Sequence, residues 1–164
     1  MQITRILVPT DFSAASDIAL THARDLAATL GASIRIVHVF DNPPVTSTML
    51  ADGQMFLPTD LRAALIQDAE ARLRQRLETA ARGGPREETA LLTGPVAATL
   101  VEDAEAHAID LILMATHGRG GMAHLLLGSV AERVVRTAPC PVMTVRPRVE
   151  KERASALAPA AAQV

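Results

Sequence analysis

Short apolar runs alternate along this chain with longer segments in which apolar positions return every three or four residues. Arg5-Ile6-Leu7-Val8 reads as a buried strand that stops at Pro9. Asp11 or Ser13 then offers an N-cap. The helix that follows carries Ala15, Ala19, His22, Ala23, Leu26, Ala27 and Leu30 on one stripe, and Gly31 is placed to end it. Ser33 to Phe40 alternates and then runs apolar, as a second strand does. Asp41 to Pro58, with Pro43-Pro44 and Gly53, has no period and reads as a long surface loop.

Thr59 to Ala81 predicts a long amphipathic helix, with Leu61, Leu65, Ala69, Leu73 and Leu77 facing inward. Gly83-Gly84-Pro85 breaks it, Glu88 to Thr93 is a weak third strand, and Pro95 opens a helix that reaches His107. Asp110 to Ala115 is a strongly apolar fourth strand. Thr116 to Leu127 is a glycine-rich loop, Ser129 to Thr137 a last helix, and Val142 to Val145 a fifth strand. Strand and helix in alternation mean a parallel sheet, and right-handed crossovers make it a doubly wound α/β sandwich with helices on both faces. One domain is expected over residues 1–148, with 149–164 an Ala/Pro-rich tail lacking a buried stripe.

Composition narrows the function. The chain has 164 residues, 49% hydrophobic and 21% charged, with a net charge of −2, so neither wholesale disorder nor a basic nucleic-acid surface fits. Three phenylalanines, with no Tyr and no Trp, leave almost no stacking platforms for single-stranded nucleic acid. Cys140, between Pro139 and Pro141, is the single cysteine. It excludes an intrachain disulfide or a Cys-x-x-Cys site and reads as a small buried hydrophobe. Lys151 is the single lysine and lies far from any glycine loop, so a P-loop is excluded. The N-terminus has no signal-peptide pattern and no apolar run is long enough to cross a bilayer. A cytoplasmic location, away from membranes, is expected.

In sheets of this kind ligands bind beyond the carboxyl ends of the strands, where the winding reverses. That rule selects Pro9-Thr10-Asp11, the end of the second strand at His38-Val39-Phe40, and the loop after Ala115. Glycines at 118, 120 and 121 let backbone amides turn inward as an anion nest, and the amides of Gly128, Ser129 and Val130 open the last helix. Ser129 would donate to a phosphate and Arg119 would offer a guanidinium fork. The alternatives are ordinary: Ser129 as a helix N-cap, Asp11 as another, His38 as a hydrogen-bonded structural histidine, and His117 as a donor to its own loop. Gly118-Arg119-Gly120-Gly121-Met122-Ala123 fits a dinucleotide glycine pattern by accident, since it follows the fourth strand and does not lead straight into a helix.

Taken together, Val8-Pro9-Thr10-Asp11-Phe12-Ser13, His38-Val39, Asp110 to Met114, Gly118-x9-Gly128-Ser129 and Ala138-Pro139-Cys140-Pro141-Val142 resemble the universal stress protein family, over Ile3 to Arg146. The ATP-binding branch of that family is marked by G-x2-G-x9-G-[S/T]. Here Ala115 stands in the place of the first glycine. The resemblance implies a Rossmann-like fold of the adenine nucleotide alpha hydrolase type, with strand order 3-2-1-4-5. It also implies that Pro9, Thr10, Asp11 and Val39 line the adenine and ribose side, with Met114, Ala115 and Thr116 under the ribose. His117, Gly118, Arg119 and Gly120 would border the phosphates, and Gly128, Ser129 and Val130 would complete the cradle. The implied ligand is ATP, ADP or AMP, with Mg2+ or Mn2+ as an accompanying cation, in a homodimer joined through Val142–Val145.

Three functions follow as expectations: a stress-responsive nucleotide-binding module with little or no catalysis, a slow ATPase or self-phosphorylating protein, and a nucleotide-independent interaction module that answers to a further protein partner.

Overall fold

A computed structural model describes residues 2–41, 59–80 (59 and 60 by backbone alone), 83–116 and 127–146. Most of the loop expected over Asp41–Pro58, the glycine loop from 117 to 126 and the tail beyond 148 lie outside the described residues. The elements run β1 (Arg5–Pro9), α1 (Ala14–Leu30), β2 (Ser33–Phe40), α2 (Thr59–Glu78), β3 (Glu87–Thr93), α3 (Val96–Ala106), β4 (Leu111–Ala115), α4 (Ser129–Thr137) and β5 (Val142–Val145). The five strands are parallel and ordered β3-β2-β1-β4-β5, the order that the resemblance implied.

Alternate side chains of the central strands enter two cores. Ile6, Val8, Ile34, Ile36, Leu111 and Leu113 pack with Ala19, Ala23 and Ala27 of α1 and Leu73 of α2. Leu7, Val37, Val39, Ile112 and Met114 pack on the other face with Ala97, Leu100 and Ala104 of α3 and Ala131 and Val134 of α4. Burial on both faces is why β1 and β4 read as unbroken apolar runs rather than alternating ones. Alanine on the inner helix faces brings helix and sheet close together, so the buried residues of both cores include no aromatic ring, and Phe12 packs only against the margin of the first.

Helix α1 starts at an N-cap formed by Ser13, whose side chain accepts from the Ser16 amide, and ends at Gly31 in the left-handed region at φ 68°. Its buried stripe is Ser16, Ala19, Leu20, Ala23 and Ala27. His22 is exposed because it sits roughly 120° round the helix from the centre of that stripe. Leu30, at the helix end, is also exposed.

Of the stripe expected on α2, Ala69 and Leu73 are buried, Leu77 is half-buried, and Leu61 and Leu65 are exposed. Only the second half of that helix lies over the sheet. Pro95 is the N-cap of α3 rather than its first residue. Cys140 is half-buried against the α3–α4 core, and burial pushes its thiol above the ordinary range.

Candidate functional site

The chain winds from β1 to β2 and β3 on one side of the sheet, then crosses to β4 and β5 on the other. The reversal falls between the carboxyl ends of β1 and β4. Their ladder pairs Ile6 with Leu111 and Leu7 with Ile112, while β1 continues to Pro9 and β4 to Ala115. Pro9 has no N–H with which to prolong the ladder, which is how the sequence opens the sheet at this point.

The β1–α1 turn is held by side chains. The Thr10 amide donates to the Val37 carbonyl at 2.8 Å, and Thr10 Oγ1 lies 3.1 Å from Ser16 Oγ and accepts from the Phe12 amide at 3.0 Å. Asp11 Oδ1 accepts from the Ser13 amide at 3.1 Å and the Ser13 hydroxyl at 2.6 Å. Asp11 therefore braces the turn while Ser13 caps the helix. The network lets Phe12 sit at φ 63°, a left-handed backbone that a bulky residue rarely adopts.

The Phe12 ring packs against His38 with centroids 4.3 Å apart and planes tilted by 38°. The Arg76 and Arg72 guanidiniums lie 4.8 and 5.6 Å from its centre. His38 Nδ1 is 2.7 Å from the Thr10 carbonyl, so this histidine is structural, as its strand-end position suggested.

On the far side of the reversal, the Thr116 amide donates to Val145 O at 3.0 Å and the Gly128 amide donates to Thr116 O at 2.8 Å. The second bond fastens the amino end of α4 to the carboxyl end of β4. It also modifies the expectation for the cradle. Gly128, not Ser129, is the N-cap residue, and its own amide is engaged, so the amides at this helix end without a partner among the described residues begin at Ser129.

The sequence points to fourteen site residues. Pro9, Thr10, Asp11, Val39, Met114, Ala115, Thr116, Gly128, Ser129 and Val130 all lie at strand ends or at the start of α4. Thr10, Val39, Met114 and Thr116 are buried, and Ser129 is exposed. His117, Gly118, Arg119 and Gly120 lie outside the described residues. What the sequence did not reveal is the support behind the turn: Ser16 on Thr10, and the α2 arginines over Phe12. Arg72 and Arg76 are separated from Phe12 by a whole strand and helix, and no local pattern links them.

An open parallel sheet with a helix terminus fastened at its winding reversal defines a doubly wound α/β protein, the class in which ligands bind beyond the carboxyl ends of the strands. The family model for the universal stress protein family matches residues 2–146, and the chain belongs to that family. It is 36% identical over 142 residues to universal stress protein MJ0531 of Methanocaldococcus jannaschii, an alignment covering 87% of this chain and 81% of that one. The solved structure of protein MJ0577 from the same organism superposes with a TM-score of 0.77 at 26% identity, covering 91% of this chain and 99% of the other. A universal stress protein solved in complex with cAMP shares the fold, with a TM-score of 0.61 at 24% identity, covering 89% of this chain and 98% of that one.

Proposed function

We propose that this chain binds an adenine nucleotide in the crevice between β1 and β4 and acts as a dimeric stress-responsive module without significant catalysis. The observation that carries the reading is the fastening of two separate backbone segments, Thr10–Asp11 and Gly128–Val130, on opposite sides of the winding reversal. The amino end of α4 supplies amides and the positive end of the helix dipole to phosphates, while the β1–α1 turn faces base and ribose. The family, and a fold neighbour crystallised with an adenine nucleotide, support the ligand class. ATP, ADP and AMP all satisfy this chemistry, and Mg2+ or Mn2+ would arrive on the phosphates.

Asp11 supports a binding role over a hydrolytic one: Oδ1 is taken by the amide and hydroxyl of Ser13, the task of a turn brace rather than a general base.

A clean test is Ser129→Glu. An acidic side chain in the first turn suits the helix dipole, so the helix keeps its stability, but it repels phosphate. Calorimetry should show micromolar nucleotide binding by the parent and none by the variant, with an unchanged or higher melting temperature. At one hundred times Kd the nucleotide should stabilise the parent by ~2.7 kcal/mol. Equal binding by both proteins, or by neither, refutes the reading.

A further inference from the structure

We infer that the opposite end of the sheet, at the amino ends of β1, β2 and β3, is a second anion site that takes a small, multiply charged phosphate. A hollow of about 230 Å³ opens there, bordered by Arg5, Ser33, Arg35, Arg86, Glu88 and His107. The register explains how it forms. Arg5 pairs with Ser33 across β1 and β2, and the Ile34 amide donates to the carbonyl of Arg86 at 2.8 Å, so these three residues stand in one row at the strand starts. The row points toward α3. Its neighbours Leu7 and Val37, two and four residues further along their strands, lie in the α3–α4 core. Two arginines thus flank a small serine, separated by two strand spacings, or about 10 Å.

Behind them Arg35 is locked in place. Its Nε and Nη2 donate to the two oxygens of Asp103 at 2.8 and 2.9 Å, and Nη1 donates to Glu88 Oε1 at 2.8 Å. The carboxylates in the neighbourhood are occupied. Asp103 is buried behind Arg35 and is approached by His107 Nδ1 at 3.2 Å, while Glu88 is bridged to Arg35. Asp110 Oδ2 accepts from the amide and hydroxyl of Thr4 and the amide of Arg5.

Three arginines and one carboxylate therefore border the hollow itself. Arg5 spends one donor, Nη1, on the His107 carbonyl at 2.8 Å, which also offsets the negative end of α3. The Arg86 guanidinium has no partner among the described residues. Paired guanidinium forks match phosphate oxygens bidentately. The hollow is smaller than an ordinary ligand pocket, which favours a compact anion over a whole nucleotide.

Inorganic pyrophosphate is the probe, titrated into the full chain and followed by amide and arginine Nε–H resonances in ¹H–¹⁵N spectra. Saturable shifts are expected at Ser33, Arg35 and Arg86. Because the Arg86 guanidinium holds no other group among the described residues, Arg86→Gln should keep the fold yet weaken binding at least tenfold. In Ser129→Glu, where the crevice is disabled, these shifts should persist, which separates this site from the proposed nucleotide site. Shifts reproduced by sodium chloride at matched ionic strength, unchanged in Arg86→Gln, or lost in Ser129→Glu would each overturn the inference.

Discussion

Phe12 shows how one residue joins the site to the rest of the molecule. Its left-handed backbone is tolerated because the ring packs against His38 and is covered by two guanidiniums. Phe12→Ala removes the ring and keeps the strained backbone, so a loss of about 2–4 kcal/mol is expected from urea unfolding followed by circular dichroism. Phe12→Gly should be about 1 kcal/mol more stable than Phe12→Ala, because glycine enters the left-handed region freely. The reverse order would show that the backbone carries no strain.

Asp110 gives a second prediction at this scale. Hydrogen bonds from the Thr4 amide and hydroxyl and the Arg5 amide hold its carboxyl below the ordinary range. A lowered carboxyl stabilises the fold above its unfolded pKa of about 3.9, and that stability is lost as pH falls through the lower folded value. Asp110→Asn should flatten this acid-side decline in denaturant midpoints between about pH 5 and 2. At the residue scale the sequence disclosed the N-cap chemistry of Asp11 and Ser13, because capping depends on neighbours. It hid Phe12's conformation and its arginines, because those depend on the packing of a remote helix.

Among the elements, the strands and α4 were legible nearly to the residue, since each is bounded by Pro, Gly or a capping side chain. The helix α2 was not. Its periodicity forecast a full-length buried stripe, yet only Ala69 and Leu73 are buried, with Leu77 half-covered. Periodicity shows which face is apolar but not how much sheet lies beneath it. Polar contacts fix that helix instead. Arg24 of α1 donates to Glu87 of β3 through Nε and Nη2, at 2.7 and 2.8 Å, and to the Arg76 carbonyl at 2.8 Å, while Arg76 pairs with Asp17. The Glu87 side chain is only 3% exposed, so Glu87→Ala leaves Arg24 facing a buried gap. A cost of about 3 kcal/mol is expected, read as a shifted urea midpoint with an unchanged slope.

For the molecule as a whole, the alternation of strand and helix was enough to give the sheet's parallel character, and the family motifs gave its order. The winding reverses between β1 and β4, and it is there that the winding rule directs the proposed crevice. The glycine loop falls outside the described residues, so the case for the proposed phosphate half rests on α4 alone. The proposed dimer belongs to this scale too. Strand β5 pairs with β4 along one side, and Met143 on it is 47% exposed. An apolar strand at a sheet's margin calls for a partner. Met143→Glu should convert a dimer to a monomer in analytical ultracentrifugation while leaving the monomer's circular dichroism unchanged; a parent protein that is monomeric at millimolar concentration would dismiss the dimer.

Thr116 ties two elements together through its own backbone. Its nitrogen is bound to Val145 in the border strand and its oxygen to Gly128 at the helix entrance. Through this joint, a ligand settling against α4 and a neighbour settling against β5 would act on the same residue. If both events occur, thermodynamic reciprocity requires that any tightening of one by the other be repaid in equal measure.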